Sequence, residues 1–217
     1  MNADRTESIP PRLRLYIERE IIPRYATFDR AHSTAHVRHV IDESLALACE
    51  YGADAAMAYT IAAYHDIGMP FGRKEHHLHS AAILRADNSL RQWFSPEQIE
   101  TMAEAVEDHR ASSTAAPRTL YGAIVAEADR ELSPETVVRR TLQYGLDHYP
   151  EETGFDFHYR RTLEHLTNKY AEGGYMHLTL SSPRNIADLA RLRALLSDST
   201  ALMSLCRSIW AEETSRI

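Results

Sequence analysis

His65 and Asp66 stand side by side in AAYHDIG, at the end of the most apolar stretch of the chain. Burying an imidazole and a carboxylate beside Ile61, Ala62, Ala63 and Ile67 is costly unless both are paired or bind metal. Adjacent helical residues point about 100° apart, so both reach one ion only if it lies just beyond the helix end. Gly68 and Pro70 put that end in the right place. Taken alone, the pair reads as a capping Asp beside a partly exposed His. Three further residues change its weight: His36 in HSTAHVRHV, His109 in AVEDHR and Asp129 in AEADREL. Each follows or interrupts an apolar helical run and is expected to face inward. Imidazole and carboxylate ligands suit Mn, Fe, Co, Ni, Zn or Mg rather than a thiolate-selecting metal.

Helices must position these residues, and helical periodicity runs through almost the whole sequence. PPRLRLYIEREIIPRYA places Leu13, Ile17, Ile21 and Ile22 on one stripe. Ser33-Thr34 opens a helix that ends near Gly52, and residues 53–67 form a nearly all-apolar helix expected at the centre. PFGRKEHHLH reads as a loop before SAAILRADNSL. In SPEQIETMAEAVEDH, Ser95, Pro96 and Gln98 have the spacing of a capping box. ASSTAAPR is a loop, TLYGAIVAEADREL a helix, and Ser133-Pro134-Glu135 opens another. Asp156 to Ala171 continues the pattern, GGYMHLTLSSP is a short hairpin or long turn, and one or two helices close the chain from Pro183. The expectation is all-α: a single domain over 1–217, a bundle of about eight to ten helices.

Composition narrows the function. The chain has 217 residues, with Lys plus Arg 24 against Asp plus Glu 31, a net charge of −7. Such an acidic chain offers no broad nucleic-acid surface. No run approaches the roughly 20 apolar residues of a membrane span, and MNADRTESIPPRLR lacks the core of a secretory signal. Cys49 and Cys206 make neither a disulfide framework nor a Cys-type zinc site, so a reducing cytoplasm is the expected location. A homo-oligomer stays compatible with all of this. The twelve His either scatter or converge.

The ordered set His36, His65-Asp66, Asp129 in an all-helical chain resembles the HD-domain superfamily of metal-dependent phosphohydrolases. AHVRHVIDESLALACEYGAD followed by AAYHDIG is similar to the family's first two core helices. DH, a loop and the helix ending in ADREL are similar to its last ligand helix, so the likeness covers roughly residues 28–135. The resemblance implies a helical bundle with the C-terminal helices packed on this core. It implies His36, His65, Asp66 and Asp129 as metal ligands, with His32 at the rim and His39 outside the ligand set. Some members add two His between the pair and the last Asp. His109 fits the second of these and either His76 or His77 the first, giving one or two ions.

The implied reaction is hydrolysis of a phosphate ester or anhydride in a nucleotide or other small phosphorylated metabolite, by metal-activated hydroxide. Asp66 would hold metal and orient water, and His109 or His76/His77 would protonate the leaving oxygen. Arg73 and Lys74 are suited to phosphate contact, and Arg38, Arg110, Arg118 and Arg130 are also near the motifs in sequence. His148, His158 and His165 are expected on a solvated helix face. A non-catalytic nucleotide- or metal-binding sensor is the alternative.

Overall fold

Caps and breakers set the helix boundaries in the computed structural model, which describes residues 8–29, 32–110, 115–180 and 182–215. Among these residues the regular elements are ten α-helices with short π and 3-10 segments, and no strand. The all-α expectation holds, and the alternation in GGYMHLTLSSP makes no strand in its described part. Residues 111–114 of the ASSTAAPR loop lie outside the described residues, and 115–119 are non-helical. No described helix is long and apolar enough to cross a membrane.

The chain divides into two compact units, Met1–Arg130 and Glu131–Ile217. No Gly-, Ser- or Pro-rich linker marks the junction. The division reflects instead a self-contained apolar cluster that begins at Leu132.

In the first unit, α1 (Pro11–Tyr16) starts at the double proline. Pro23 has no N–H to give a helix, so the chain widens into a π turn, Ile17–Ile21, then tightens into a 3-10 run, Ile22–Thr27. The predicted stripe stays buried through the change, and Tyr25 is buried with it. α2 (Thr34–Tyr51) buries His36, Val37, Val40, Ile41, Leu45 and Ala48 at helical spacing. Gly52 ends it at φ 67°, a value that would strain a residue with a Cβ.

The next helix, α3 (Ala55–Tyr64), is capped by Asp54, whose side chain accepts from Met57 N–H. Its residues from Met57 to Tyr64 are all buried, and it touches the helices on both sides of it in sequence and beyond: α2, α4 (His76–Ala86), α5 (Pro96–Asp108) and α6 (Leu120–Ala128). It is the central helix of the unit, as its composition predicts. α4 begins at His76, so the end of the expected loop is helical. Ser95 and Gln98 form the predicted capping box of α5.

The second unit contains α7 (Pro134–His148), α8 (Phe155–Tyr170), α9 (Pro183–Ser197) and α10 (Ser199–Thr214). Leu142, Leu166, Leu192, Leu202 and Cys206 form the heart of its apolar cluster. Arg139 ties α7 to α10 through Glu212 at 2.8 Å and Glu213 at 2.5 Å. The expectation of a solvated face on α8 fails at His158, which is buried with Thr162 and Leu166. These three residues recur every fourth position, which makes one inward stripe of an otherwise polar helix.

Candidate metal centre

α3 stops at Tyr64, short of the expected Ile67, and this places the His-Asp pair in the turn that follows. His65 is still helical at the C-cap, Ile67 N–H donates to Tyr64 C=O at 3.2 Å, and Met69 N–H donates to Asp66 C=O at 2.9 Å. Both side chains therefore project from the end of a buried helix. Two contacts fix the turn from outside. The Tyr25 hydroxyl donates to Ala63 C=O at 2.9 Å and accepts from Asp66 N–H at 3.2 Å. Gly68 N–H donates to the Ser80 hydroxyl at 2.9 Å, and a Cβ on Gly68 would lie 2.4 Å from His76 O and 2.6 Å from Ser80 N. Only glycine lets the turn lie this close to α4.

Five helices, α2 to α6, deliver side chains to the cluster around Asp66. On one side, His65 Nε2 is 3.2 Å and His36 Nε2 3.6 Å from Asp66 Oδ2. Asp129 Oδ1, at the C-cap of α6, is 3.1 Å from His36 Nε2 and 3.8 Å from His65 Nε2. On the other side, His76 Nε2 is 3.1 Å and His109 Nε2 3.4 Å from Asp66 Oδ1. The atoms form two groups able to hold an ion, His36–His65–Asp66 and Asp66–His76–His109, and Asp66 belongs to both.

The same local device orients three of the imidazoles. Nδ1–H donates to the carbonyl three residues earlier: His65 to Ala62 at 2.7 Å, His76 to Arg73 at 2.8 Å and His109 to Val106 at 2.6 Å. A carbonyl only accepts, so Nδ1 carries a proton and Nε2 is the nitrogen each ring turns to the cluster, as a lone pair whenever the ring is neutral. His76 Nε2 and His109 Nε2 then face each other at 3.1 Å with Asp66 Oδ1 beside them. With both rings neutral these three atoms are all acceptors, which repel unless a proton or a metal ion lies among them. The donor set fits a divalent metal of the borderline or hard class.

Charge in the first group tells the same story. Burial disfavours the His36 cation, but hydrogen bonds to Asp129 and Asp66 outweigh it and raise the imidazole to about 9. Burial likewise opposes the raised value of His65, which the Asp66 charge sustains. Asp66 lies well below the usual carboxylate range: burial pushes it up, and the His65 charge with bonds from His109 and His36 pulls it down further. Asp129 falls to about 2, with burial overcome by the His36 bond. The buried Asp66 and the partly buried Asp129 thus demand positive charge, which a proton or a metal supplies.

The structure brings His36, His65, Asp66, Asp129, His76 and His109 together. His77 is the exception among the candidate ligands: it points outside both groups because α4 starts at His76 and turns the next side chain away. His32 lies at the rim, its ring 6.1 Å from that of His36, and is tied to Asp29 at 2.6 Å. Arg73 and Lys74 are exposed on the loop before α4. Arg38 and Arg118 are committed elsewhere, to Glu18 at 2.8 Å and to Glu107 and Asp108 at 2.7 and 2.9 Å. Arg130 lies 3.8 Å from the buried Glu127. Sequence reasoning missed Tyr25, which carries no motif and lies 41 residues from the turn it holds.

A model of the HD domain family matches residues 34–132, the segment that carries all six converging residues. Searches of curated proteins and of solved structures found no match to the chain.

Proposed function

The chain belongs to the HD-domain superfamily, and from that premise we propose that it is a metal-dependent phosphohydrolase acting on a small phosphorylated compound. A nucleotide or another phosphate ester or anhydride fits the reading. The observation that carries it is the convergence of His76 Nε2, His109 Nε2 and Asp66 Oδ1 within 3.1–3.4 Å of one another.

His36, His65, Asp66 and Asp129 would hold one ion, and Asp66, His76 and His109 a second. When bound, the ions supply a Lewis acid for the phosphoryl group and a water whose pKa falls to roughly 7. The chain does the rest. The carbonyls of Ala62, Arg73 and Val106 hold the imidazoles in one tautomer and one orientation. Tyr25 and Gly68 fix the turn, so both Asp66 oxygens face the site. Asp66 is also placed to orient the attacking water. His109 has only Nε2 to offer, so it either ligates or carries the proton for the leaving oxygen, and the two-ion reading makes it a ligand. Arg73 and Lys74, exposed beside the cluster, would contact phosphate.

Purified protein should take up one or two equivalents of divalent metal and hydrolyse a member of a phosphorylated-metabolite panel. Mn, Co, Ni, Mg and Zn are the metals to supply. Asp66→Ala should remove both properties. Metal uptake with nucleotide binding but no turnover across the panel would favour the sensor reading. A protein that binds no metal would end both.

A further inference from the structure

Basic side chains of the first unit fall into two kinds. Arg38 and Arg85 each sit on carboxylates, Glu18 for the first and Glu100 and Glu107 for the second, and Arg118 shares Glu107 and adds Asp108. Arg73, Lys74 and Arg110 have no ion pair among the described residues, as is also true of Arg12, Arg14, Arg19, Arg24 and Arg91, but only these three adjoin the ligand residues His76 and His109 in sequence. These three gather on one edge of the metal centre. Arg110 follows His109 directly, and its Nη1 donates to Lys74 C=O at 2.8 Å, across 36 residues of chain. Arg73 C=O receives the His76 Nδ1–H at 2.8 Å. The loop is thus pinned by both carbonyls, one to a residue of the cluster and one to the end of α5, while the Arg73 and Lys74 side chains stay exposed.

Resting on the phosphohydrolase reading, we propose that Arg73, Lys74 and Arg110 form a second anion subsite, and that the substrate carries at least two phosphate groups. One phosphate lies over the His/Asp cluster and the other on this edge. Asp66 and Asp129 face the imidazoles of the cluster itself, and neither forms an ion pair with the three positive charges at the edge. A substrate with one phosphate would satisfy the cluster and leave the edge unpaired. Arg110 gives Nη1 to the Lys74 carbonyl and keeps Nε and Nη2, a fork suited to phosphate oxygens, while Lys74 adds a point charge.

Calorimetric titration with inorganic phosphate and pyrophosphate tests this, in metal-free and metal-loaded full-length protein. Pyrophosphate should bind at least ~10-fold more tightly than phosphate, the scale of one charge-assisted contact. Arg110→Gln and Lys74→Gln should each shrink that ratio while metal content and thermal midpoint hold. Arg110→Lys, which keeps charge and loses the fork, should fall between. Equal affinity for the two anions in the wild type would overturn the subsite, as would a ratio that survives the triple change of Arg73, Lys74 and Arg110 to Gln. The readout is binding, so the two readings fail separately. A protein with no turnover still reports the ratio, and a ratio of one in an active hydrolase removes the subsite alone.

Discussion

His65 in the first unit and His158 in the second are both fully buried, and each donates one ring N–H to a backbone carbonyl at 2.7 Å, Ala62 O and Glu152 O respectively. They differ in what the other nitrogen meets. His65 Nε2 has Asp66 Oδ2 at 3.2 Å, His36 Nε2 at 3.3 Å and Asp129 Oδ1 at 3.8 Å. His158 Nδ1 has no hydrogen-bond partner and lies against Gly145, where an added Cβ would come within 2.5 Å of it. Its ring neighbours are Trp210 at 4.9 Å and Phe157 at 5.2 Å, and among the described residues it makes no ion pair with a carboxylate. Burial and one satisfied nitrogen are therefore common to a packed histidine and to a ligand. The mark of the site is a convergence of acceptors that only a cation can reconcile.

The strongest way to break this comparison is to remove each centre in turn. Asp66 alone belongs to both ligand groups, so Asp66→Ala should abolish metal uptake, measured by elemental analysis after dialysis. His158→Ala should leave metal content at the wild-type level and lower stability instead, as large-to-small core changes do, by about 2–5 kcal/mol. Loss of metal in the His158 variant would remove the distinction.

Acid and base sharpen it further in the chelated protein. The His36 imidazole is raised from 6.5 to about 9 in the fold, so its stabilising contribution is complete below pH 6.5 and lost as pH rises through 9. The size is roughly 3 kcal/mol by linkage. Asp129 runs the other way: with a value of about 2 against 3.8, its contribution is present above 3.8 and lost as pH falls toward 2. The two shifts share one contact and count once. Urea midpoints of metal-free protein should be highest between pH 4 and 6.5 and fall toward pH 9.5, and added metal should remove the alkaline fall. An alkaline arm unchanged by metal would show that the His36 proton does not stand in for an ion.

Two glycines give the next effect. Gly68→Ala would drive a Cβ into the His76 carbonyl and Ser80 N, backbone atoms that cannot swing away. Gly145→Ala would press on the His158 ring and the Arg161 guanidinium. Both should cost about 1–3 kcal/mol by overpacking. Only Gly68→Ala should also weaken metal binding, because His76 is anchored at that contact. Equal metal affinity in the two variants would deny the turn its positioning role.

What the sequence made legible follows from how far each signal reaches. The Ser95–Gln98 box and the Gly52 stop are decided within one turn of helix, and both are present as the residues predict. His36, His65, Asp66 and Asp129 are brought together because each interrupts an apolar run. The choice of His76 over His77 depends on the phase of α4, set by where its first turn begins, and neighbouring identical residues carry no such information. Tyr25 was hidden because Pro23 takes its segment out of α-helical register, so no periodicity showed which way it faces. On α8, Arg160, Arg161 and Glu164 mask a stripe whose other members, His158 and Thr162, are themselves polar.

The smallest effect bears on the division of the chain. Ser95 caps α5 in the first unit, accepting from Gln98 N–H at 3.3 Å, and Asp198 caps α10 in the second, accepting from Thr200 and Ala201 N–H at 3.1 and 2.9 Å. Loss of either cap should cost about 1 kcal/mol. The chain has two tryptophans, Trp93 and Trp210, one in each unit. In single-tryptophan backgrounds, each made by replacing the other with Phe, fluorescence follows one unit at a time. Ser95→Ala should lower the denaturation midpoint reported by Trp93 more than that reported by Trp210, and Asp198→Ala should do the reverse. Each unit owns the helix whose end it caps, so a local cost should be felt first by the local reporter. Equal shifts at both tryptophans from both variants would show one cooperative transition spanning 8–215, and the two clusters would then be parts of a single folding unit.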